Sequence, residues 1–315
     1  MNPLYLYSGS LLEEPTRDPD WAVWTLAYCQ ADMPYDFFGG SGPYSNKGLV
    51  KIPMIYTLLA GGETGGKKHV ALVDCGFGQK KWLDRYAFSG WEDPKTVLGR
   101  VGFAPEDVEA ILVTHMHFDH MGNFEAFPNA RLYVQLDEYI GWLQAVSFAR
   151  NRKEQEETSW IFSSFDPDDL VRASQGVNDG RVTFLHGDAE VLPGIVAHLA
   201  KDTHTFGTQW FEVKTRNGPF CIVGDTVYWY SNVEMPWVPG YNQGNAFQCI
   251  YTYDYLRRLL KGETKRIIPG HDPLIWERHT AWPSAEGNQI AEVNLGVQES
   301  SRRPIRGERS AKSSR

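Results

Sequence analysis

The sequence has no run of about 18 apolar residues, so no membrane-spanning helix is expected. The N-terminal Met1-Asn2-Pro3-Leu4-Tyr5-Leu6-Tyr7 has no basic segment leading into an apolar stretch, which argues against a signal peptide and makes a cytoplasmic location the default expectation. Cysteine is scarce. Cys29, Cys75, Cys221 and Cys249 lie far apart with no Cys-x-x-Cys pair, and in a chain of 315 residues they read as buried thiols rather than a disulfide framework. Positive charge is short as well: 31 Lys and Arg stand against 39 Asp and Glu, for a formal net charge of -8. An acidic body does not attract phosphate backbones, so nucleic acid is not an expected partner. The glycines of Gly61-Gly62-Glu63-Thr64-Gly65-Gly66 are not followed by Gly-Lys-Ser/Thr, so they read as a turn and not as a phosphate loop. No internal repeat is evident.

What is present is enough apolar residue, 42% of the chain, to fill a sizeable core. Residues 49–60 and His69–Val73 read as two strands of a hairpin around the glycine turn. Residues 105–110 carry a helix-start signature, with Pro105 followed by Glu106 and Asp107. Ile111–Val113 is a short buried strand, and Arg131–Gln135 is another. Residues 136–172 are charged, aromatic and largely helical in pattern, with a break at Asp166-Pro167-Asp168-Asp169; they read as an inserted helical cap. Strands return at Arg181–Leu185, Gly194–Leu199, Trp210–Lys214 and Phe220–Val223. Ile250, Tyr253, Leu256 and Leu260 then keep helical spacing, and Arg266–Ile268 is a last short strand. This order predicts a layered α/β protein with helices outside two sheets, one domain spanning residues 1–298. The segment Glu299–Arg315, rich in Arg and nearly free of large apolar residues, is expected to be a disordered basic tail.

The chemistry concentrates in Thr114-His115-Met116-His117-Phe118-Asp119-His120, directly after the strand Ile111–Val113. Loops at strand ends are where α/β proteins place ligands. In an extended loop, residues two apart point the same way, so His115 and His117 can hold one ion, while Asp119 and His120 turn toward a second position. Imidazole and carboxylate together favour zinc or a similar borderline metal.

This cluster resembles the His-x-His-x-Asp-His hallmark of the metallo-β-lactamase superfamily, and the resemblance covers roughly residues 45–275. It implies a four-layer αβ/βα sandwich, here with a helical insertion. Val73-Asp74-Cys75-Gly76 is similar to the family's strand-end Asp-x-Gly and makes Asp74 a residue that orients a metal ligand. Cys75, next to it, has at most a minor role. Thr203-His204-Thr205-Phe206-Gly207 resembles the family's His-Thr-x-Gly and implies His204 as a third ligand of the first ion. The chain departs from the family here, with Asp202-Thr203 where Pro-Gly is usual. His198 and His186 compete with His204 on spacing, and the Thr-x-Gly after His204 favours it. Gly224-Asp225-Thr226 implies Asp225 as the bridge between two ions, and Pro269-Gly270-His271-Asp272 implies His271 as a ligand of the second. His69 and His279 have no motif around them and read as structural.

Within the superfamily, His117–Asn123, Phe127–Ala130, Val134-Gln135, Glu138-Tyr139 and Val191–Ile195 are similar to the N-acyl-homoserine lactonase-like branch. That likeness implies a catalytic tyrosine, Tyr228, three residues after Asp225. It also implies metal-assisted acyl hydrolysis with two divalent ions, zinc first and manganese, iron or cobalt as alternatives. Attack comes from a hydroxide between the ions, and Asp119 relays a proton to the leaving group. The expected partner is a small apolar or aromatic lactone or ester, with Trp229, Tyr230, Trp237 and Tyr241 expected along the rim of its pocket. No nucleic acid or membrane partner is expected, and the oligomeric state is open, a homodimer among the options. The alternatives are a hydrolase of another bond in the same site (thioester, phosphoester, xenobiotic ester or carbon–halogen) and a non-catalytic metal-binding protein.

Overall fold

The computed structural model describes residues 20–39, 47–64, 67–151 and 160–295. The basic C-terminal segment and the tip of the glycine turn, residues 65 and 66, lie outside them.

The described residues form two mixed sheets. The larger has β1 (Trp21–Pro34), β2 (Leu49–Thr64), β3 (Lys67–Val73), the short β4 (Phe88–Ser89), β5 (Ala110–Leu112), β6 (Arg131–Gln135) and β7 (Val182–Leu185). The smaller has β8 (Ala189–Leu192), β9 (Ile195–Leu199), β10 (Gln209–Val213), β11 (Phe220–Gly224) and β12 (Ile267–Pro269). The chain then returns to the larger sheet with β13 (Thr280–Pro283) and β14 (Gln289–Asn294). The larger sheet runs β13-β14-β1-β2-β3-β5-β6-β7, with β4 beside β1, and the smaller runs β12-β11-β10-β9-β8. Pairing is parallel from β3 through β5 and β6 to β7, and between β11 and β12.

The alternation of side chains along a strand decides which core each residue enters. On β1, Trp21, Val23 and Ala27 face the smaller sheet and pack with Ile195, Ala197, Phe211, Val213 and Val223. Trp24, Leu26 and Tyr28 face the other way and join Val97, Leu98, Trp142, Leu170 and Ala173 from the helices Pro94–Arg100, Leu136–Asn151 and Pro167–Asn178. The helix Ala246–Leu259 covers the outside of the smaller sheet with Cys249, Tyr253 and Leu256. The result is helix, sheet, sheet, helix, the layered arrangement expected from the sequence. Each fully buried large side chain in these cores contributes about 1.5–3 kcal/mol of transfer free energy.

The expected strands recur with boundaries shifted by a residue or two, except that β2 runs four residues past its expected end at residue 60, and β6 matches its predicted span. Five strands were not expected from the sequence: β1, the short β4, β8, β13 and β14. The helix expected at residues 105–110 is only a turn of 3-10 helix at Pro105–Asp107, with the Asp107 carboxylate accepting from Ala104 N at 2.9 Å. The chain has to extend again by Ala110 to enter β5, which leaves no room for a second turn. The inserted segment is helical at Leu136–Asn151 and Pro167–Asn178, the second capped by Asp166, whose Oδ1 accepts from Asp168 N at 3.0 Å; residues 152–159 between them are not described. No helix among the described residues is long and apolar enough to cross a membrane.

Candidate metal centre

The C-terminal ends of β3, β5, β11 and β12 converge on one edge between the two sheets, and each delivers a polar residue there. Asp74 follows β3, the His115–His120 loop follows β5, Asp225 follows β11 and His271 follows β12. His204 arrives on the connection from β9 to β10. After the extended His115–His117 stretch, the chain turns into a single helical turn, Phe118–Met121, with His117 at its start in an extended conformation (φ -67°, ψ 154°). This change of backbone swings Asp119 and His120 away from the direction of His115 and His117.

Two buried groups result. His115, His117, His204 and Asp225 form one, and Asp119, His120 and His271 the other, with the ligand atoms of each within 4.8 Å of one another. Asp225 stands between them. Its Oδ2 is 3.7 Å from His115 Nε2 and 3.5 Å from His204 Nε2, while its Oδ1 is 3.4 Å from His120 Nε2 and 3.1 Å from His271 Nε2. Asp119 Oδ2 lies 3.5 Å from His120 Nε2 and 3.7 Å from His271 Nε2. His117 turns its Nδ1 inward, 3.1 Å from His204 Nε2. Gly270 makes room for this: a Cβ at that position would overlap Asp225 Oδ1.

The nitrogens on the far side of the rings are tied down, as is usual for metal-ligating histidines. Asp74 does this for both groups. Its Oδ2 accepts from His120 Nδ1 at 2.7 Å and from Thr114 Oγ1 at 2.9 Å, and Thr114 Oγ1 in turn accepts from His115 Nδ1 at 3.0 Å. The other oxygen, Oδ1, accepts from Thr114 N at 2.7 Å. Asp74 holds this position with a left-handed backbone (φ 61°), a conformation uncommon for a residue with a side chain. Gln243 Oε1 accepts from His117 Nε2 at 2.7 Å, and the Pro53 carbonyl accepts from His271 Nδ1 at 3.0 Å. On the near side, His115 Nε2, His120 Nε2 and Asp225 Oδ1 are buried with no hydrogen-bond partner. Buried polar atoms left in that state are costly unless something else satisfies them. Two cations would do so, and the imidazole and carboxylate donors suit a divalent borderline metal; the two clusters fit a dinuclear metal site.

The electrostatics agree. Burial pushes the imidazoles of His115, His117 and His204 below their ordinary range, His117 to about 4 and His204 to about 3, with neighbouring histidines adding to the effect. Neutral imidazole is the form that binds a metal. Burial pulls His120 and His271 the same way, but Asp225 and Asp119 outweigh it and raise both. Burial would raise the Asp225 carboxyl, and His271 and His120 overcome that and hold it well below the usual carboxylate range.

Of the competing histidines, His198 is elsewhere, stacked on Trp210 and paired with Asp188 and Glu212. His186 joins neither group. His69 pairs with Glu109 at the opposite end of β3 from Asp74. Cys75 is buried, with Sγ against the His120 carbonyl at 3.3 Å, and burial raises its thiol, so it acts as packing.

A cavity of about 520 Å³ opens onto the two groups. His117, Asp119, Asp225, Tyr228 and His271 form its polar end, and the rest is mostly apolar and aromatic, with Met33, Phe37, Phe38, Ile52, Met54, Tyr86, Phe88, Phe118, Trp160 and Tyr241 joined by Ser163, Ser164 and Gly240. Among the described residues, no Lys or Arg lines the cavity. Tyr228 is buried, its hydroxyl 3.4 Å from His204 Nδ1, and burial raises its phenol well above the usual range, so it is a donor at neutral pH. The aromatic rim differs from expectation. Tyr241 lines the cavity, but Trp229 turns inward to donate to the His271 carbonyl at 3.2 Å, and Tyr230 is buried beneath it. Trp237 is not part of the wall. Phe37 and Phe38, from the short helix Tyr35–Gly39, take that place. Sequence reasoning missed them, together with Gln243 and Glu138. Glu138 had a signal, since it falls in a stretch resembling the lactonases; the others had none.

Residues 57–271 match the sequence model of the metallo-beta-lactamase superfamily. The N-acyl homoserine lactonase AttM of Azorhizobium caulinodans is 26% identical over 190 residues, 58% of this chain and 63% of the relative. The N-acyl homoserine lactonase AiiA of Bacillus thuringiensis subsp. kurstaki is 28% identical over 179 residues, 56% of this chain and 60% of the relative. The chain thus spans under two thirds of the length of these curated relatives. Among solved structures, AidC, a dizinc quorum-quenching lactonase, superimposes with a TM-score of 0.60 at 16% identity, covering 86% of this chain and 94% of its own. A quorum-quenching N-acyl homoserine lactone lactonase gives 0.59 at 23% identity, covering 82% and 94%. At these identities the superpositions speak to the fold.

Proposed function

The chain belongs to the metallo-beta-lactamase superfamily of metal-dependent hydrolases, and from that premise we propose that it opens a lactone or cleaves a carboxylic ester at a site for two divalent ions. His115, His117 and His204 would hold one ion, Asp119, His120 and His271 the other, with Asp225 shared between the two groups. Zinc is the first choice for both. The observation that carries this reading is the Asp225 carboxylate, with one oxygen turned to each histidine group. Bound there, two cations supply Lewis acidity and lower the pKa of water held between them.

The chain's own residues do the rest. The largely apolar wall excludes water and takes up the uncharged part of the substrate, and the lack of Lys or Arg among its described residues disfavours a phosphoester, which would call for cationic partners. Tyr228, a neutral phenol at the polar end, donates its proton in a hydrogen bond to the carbonyl oxygen as negative charge develops there. Asp119, which lines the cavity, accepts at its carboxylate the proton released as water adds to the carbonyl carbon, and passes it to the alkoxide oxygen that leaves as the C–O bond breaks. No serine or cysteine nucleophile is needed.

Tyr228→Phe tests this assignment. On the best lactone or ester substrate it is expected to lower kcat by about 10- to 10³-fold, the scale of other oxyanion donors. KM should change less, because the hydrogen bond is strongest in the transition state. Unchanged kinetics would reduce Tyr228 to a packing residue.

A further inference from the structure

The helix Leu136–Asn151 starts beside the metal-centre loops, and in its first turn it buries a carboxylate, Glu138, with no solvent exposure. No basic side chain among the described residues pairs with it. Instead, four donors from three segments converge on its two oxygens. Oε1 accepts from Met116 N at 2.9 Å and from Trp142 Nε1 at 2.8 Å. Oε2 accepts from Gly207 N at 2.7 Å, and Thr205 Oγ1 donates within 2.9 Å of both oxygens. Met116 is the residue between His115 and His117, and Thr205 and Gly207 follow His204. The carboxylate therefore joins the two loops that carry the three histidines of the first group.

The packing around it leaves little freedom. A Cβ at residue 207 would overlap the backbone nitrogen of Glu138, so only glycine lets the His204 loop lie on the start of the helix. Phe206 fills the space above Gly141 on the same helix in the same manner. Burial raises the Glu138 carboxyl, and the four donors oppose that by favouring a carboxylate. Met116 N–H, Trp142 Nε1–H and Gly207 N–H can only donate, so every acceptor position they use must lack a proton. A glutamine in this place has one acceptor oxygen. If that oxygen serves Met116 and Trp142, its amide nitrogen faces the Gly207 N–H, donor against donor; if flipped, it faces two donors instead of one.

We propose that Glu138 is a positioning residue for the first ion: it sets the relative placement of His115, His117 and His204 by binding both of their loops at once. This inference rests on the ligand assignment above. Outer partners of metal ligands are commonly worth 10- to 100-fold in metal affinity, so Glu138→Gln is expected to weaken one of two bound zinc ions by about that factor, leaving the other near its wild-type affinity. Competition with a chromophoric chelator reads this directly. Cobalt-substituted protein should show altered d–d bands, which a purely structural contribution to folding would not produce. Thr205→Val, which removes one donor and keeps the side-chain shape, is expected to act in the same direction with a smaller effect, and it decides the matter alone if Glu138→Gln does not fold. Two variants that bind both ions with wild-type affinity and give the wild-type cobalt spectrum would overturn the proposal. A wild-type protein that binds fewer than two ions is a different result: the ligand assignment fails, and this inference falls with it.

Discussion

Asp225→Asn is expected to lower kcat by about 10²-fold or more, the scale of losing a positioned charged group in an active site. The side chain keeps its size, so the cause is chemical. In the wild type one oxygen faces His115 and His204 and the other faces His120 and His271, all within 3.7 Å. An asparagine replaces one of these oxygens by a donor nitrogen that cannot bind a cation, and it removes the negative charge that keeps two cations close together. Gly270 leaves space at Oδ1 for an oxygen but none for rearrangement, since the backbone of Gly224 is also close. The variant should therefore retain one ion tightly and lose or loosen the other. Steady-state kinetics with metal content measured on the same sample check this. Wild-type turnover with two ions bound would mean that Asp225 does not bridge.

Removing the metal should cost stability as well as activity. The seven side chains of the two groups are all buried, and a folded state that binds an ion the unfolded chain does not is stabilised by about 4 kcal/mol at 1,000 times the dissociation constant. For a chain of this size that corresponds to a fall in Tm on the order of 5–15 °C after chelation. Turnover should vanish in parallel, and both should return on adding about two equivalents of zinc per chain. A chelated protein with unchanged Tm and full turnover would contradict a metal site built from these residues.

The legibility of this protein in its sequence follows distance along the chain. His115, His117, Asp119 and His120 are readable because their spacing is local and a buried strand precedes them. Asp74, Asp225 and His271 are readable because each ends a short apolar strand. His204 is harder, since no strand leads directly into it and Asp202-Thr203 replaces the usual Pro-Gly; the following Thr205 and Gly207 separate it from His198 and His186. Their role is physical: Thr205 and Gly207 are two of the donors on Glu138.

What stays illegible depends on contacts between distant segments. Gln243 meets His117 across 126 positions, and the Pro53 carbonyl meets His271 across 218. Nothing near Gln243 or Pro53 marks them. β1 is missed for a different reason: both its faces are covered, so its side chains divide between two cores and show no polar alternation to read. The aromatic wall of the cavity is missed because Phe37 and Phe38 lie almost 80 residues before His115, while Trp229 and Tyr230, close to Asp225 in sequence, turn into the protein.

Hydrolysis of a carbonyl substrate by this site is checked most directly by kcat/KM for the zinc-replete protein on a panel of lactones, carboxylic esters, thioesters and phosphodiesters, each repeated after chelation. An apolar or aromatic lactone or ester is expected to be the best substrate, with turnover that depends on metal, and phosphodiesters are expected to be turned over slowly or not at all. A phosphodiester hydrolysed much faster than every lactone and ester would contradict a carbonyl-hydrolysing site.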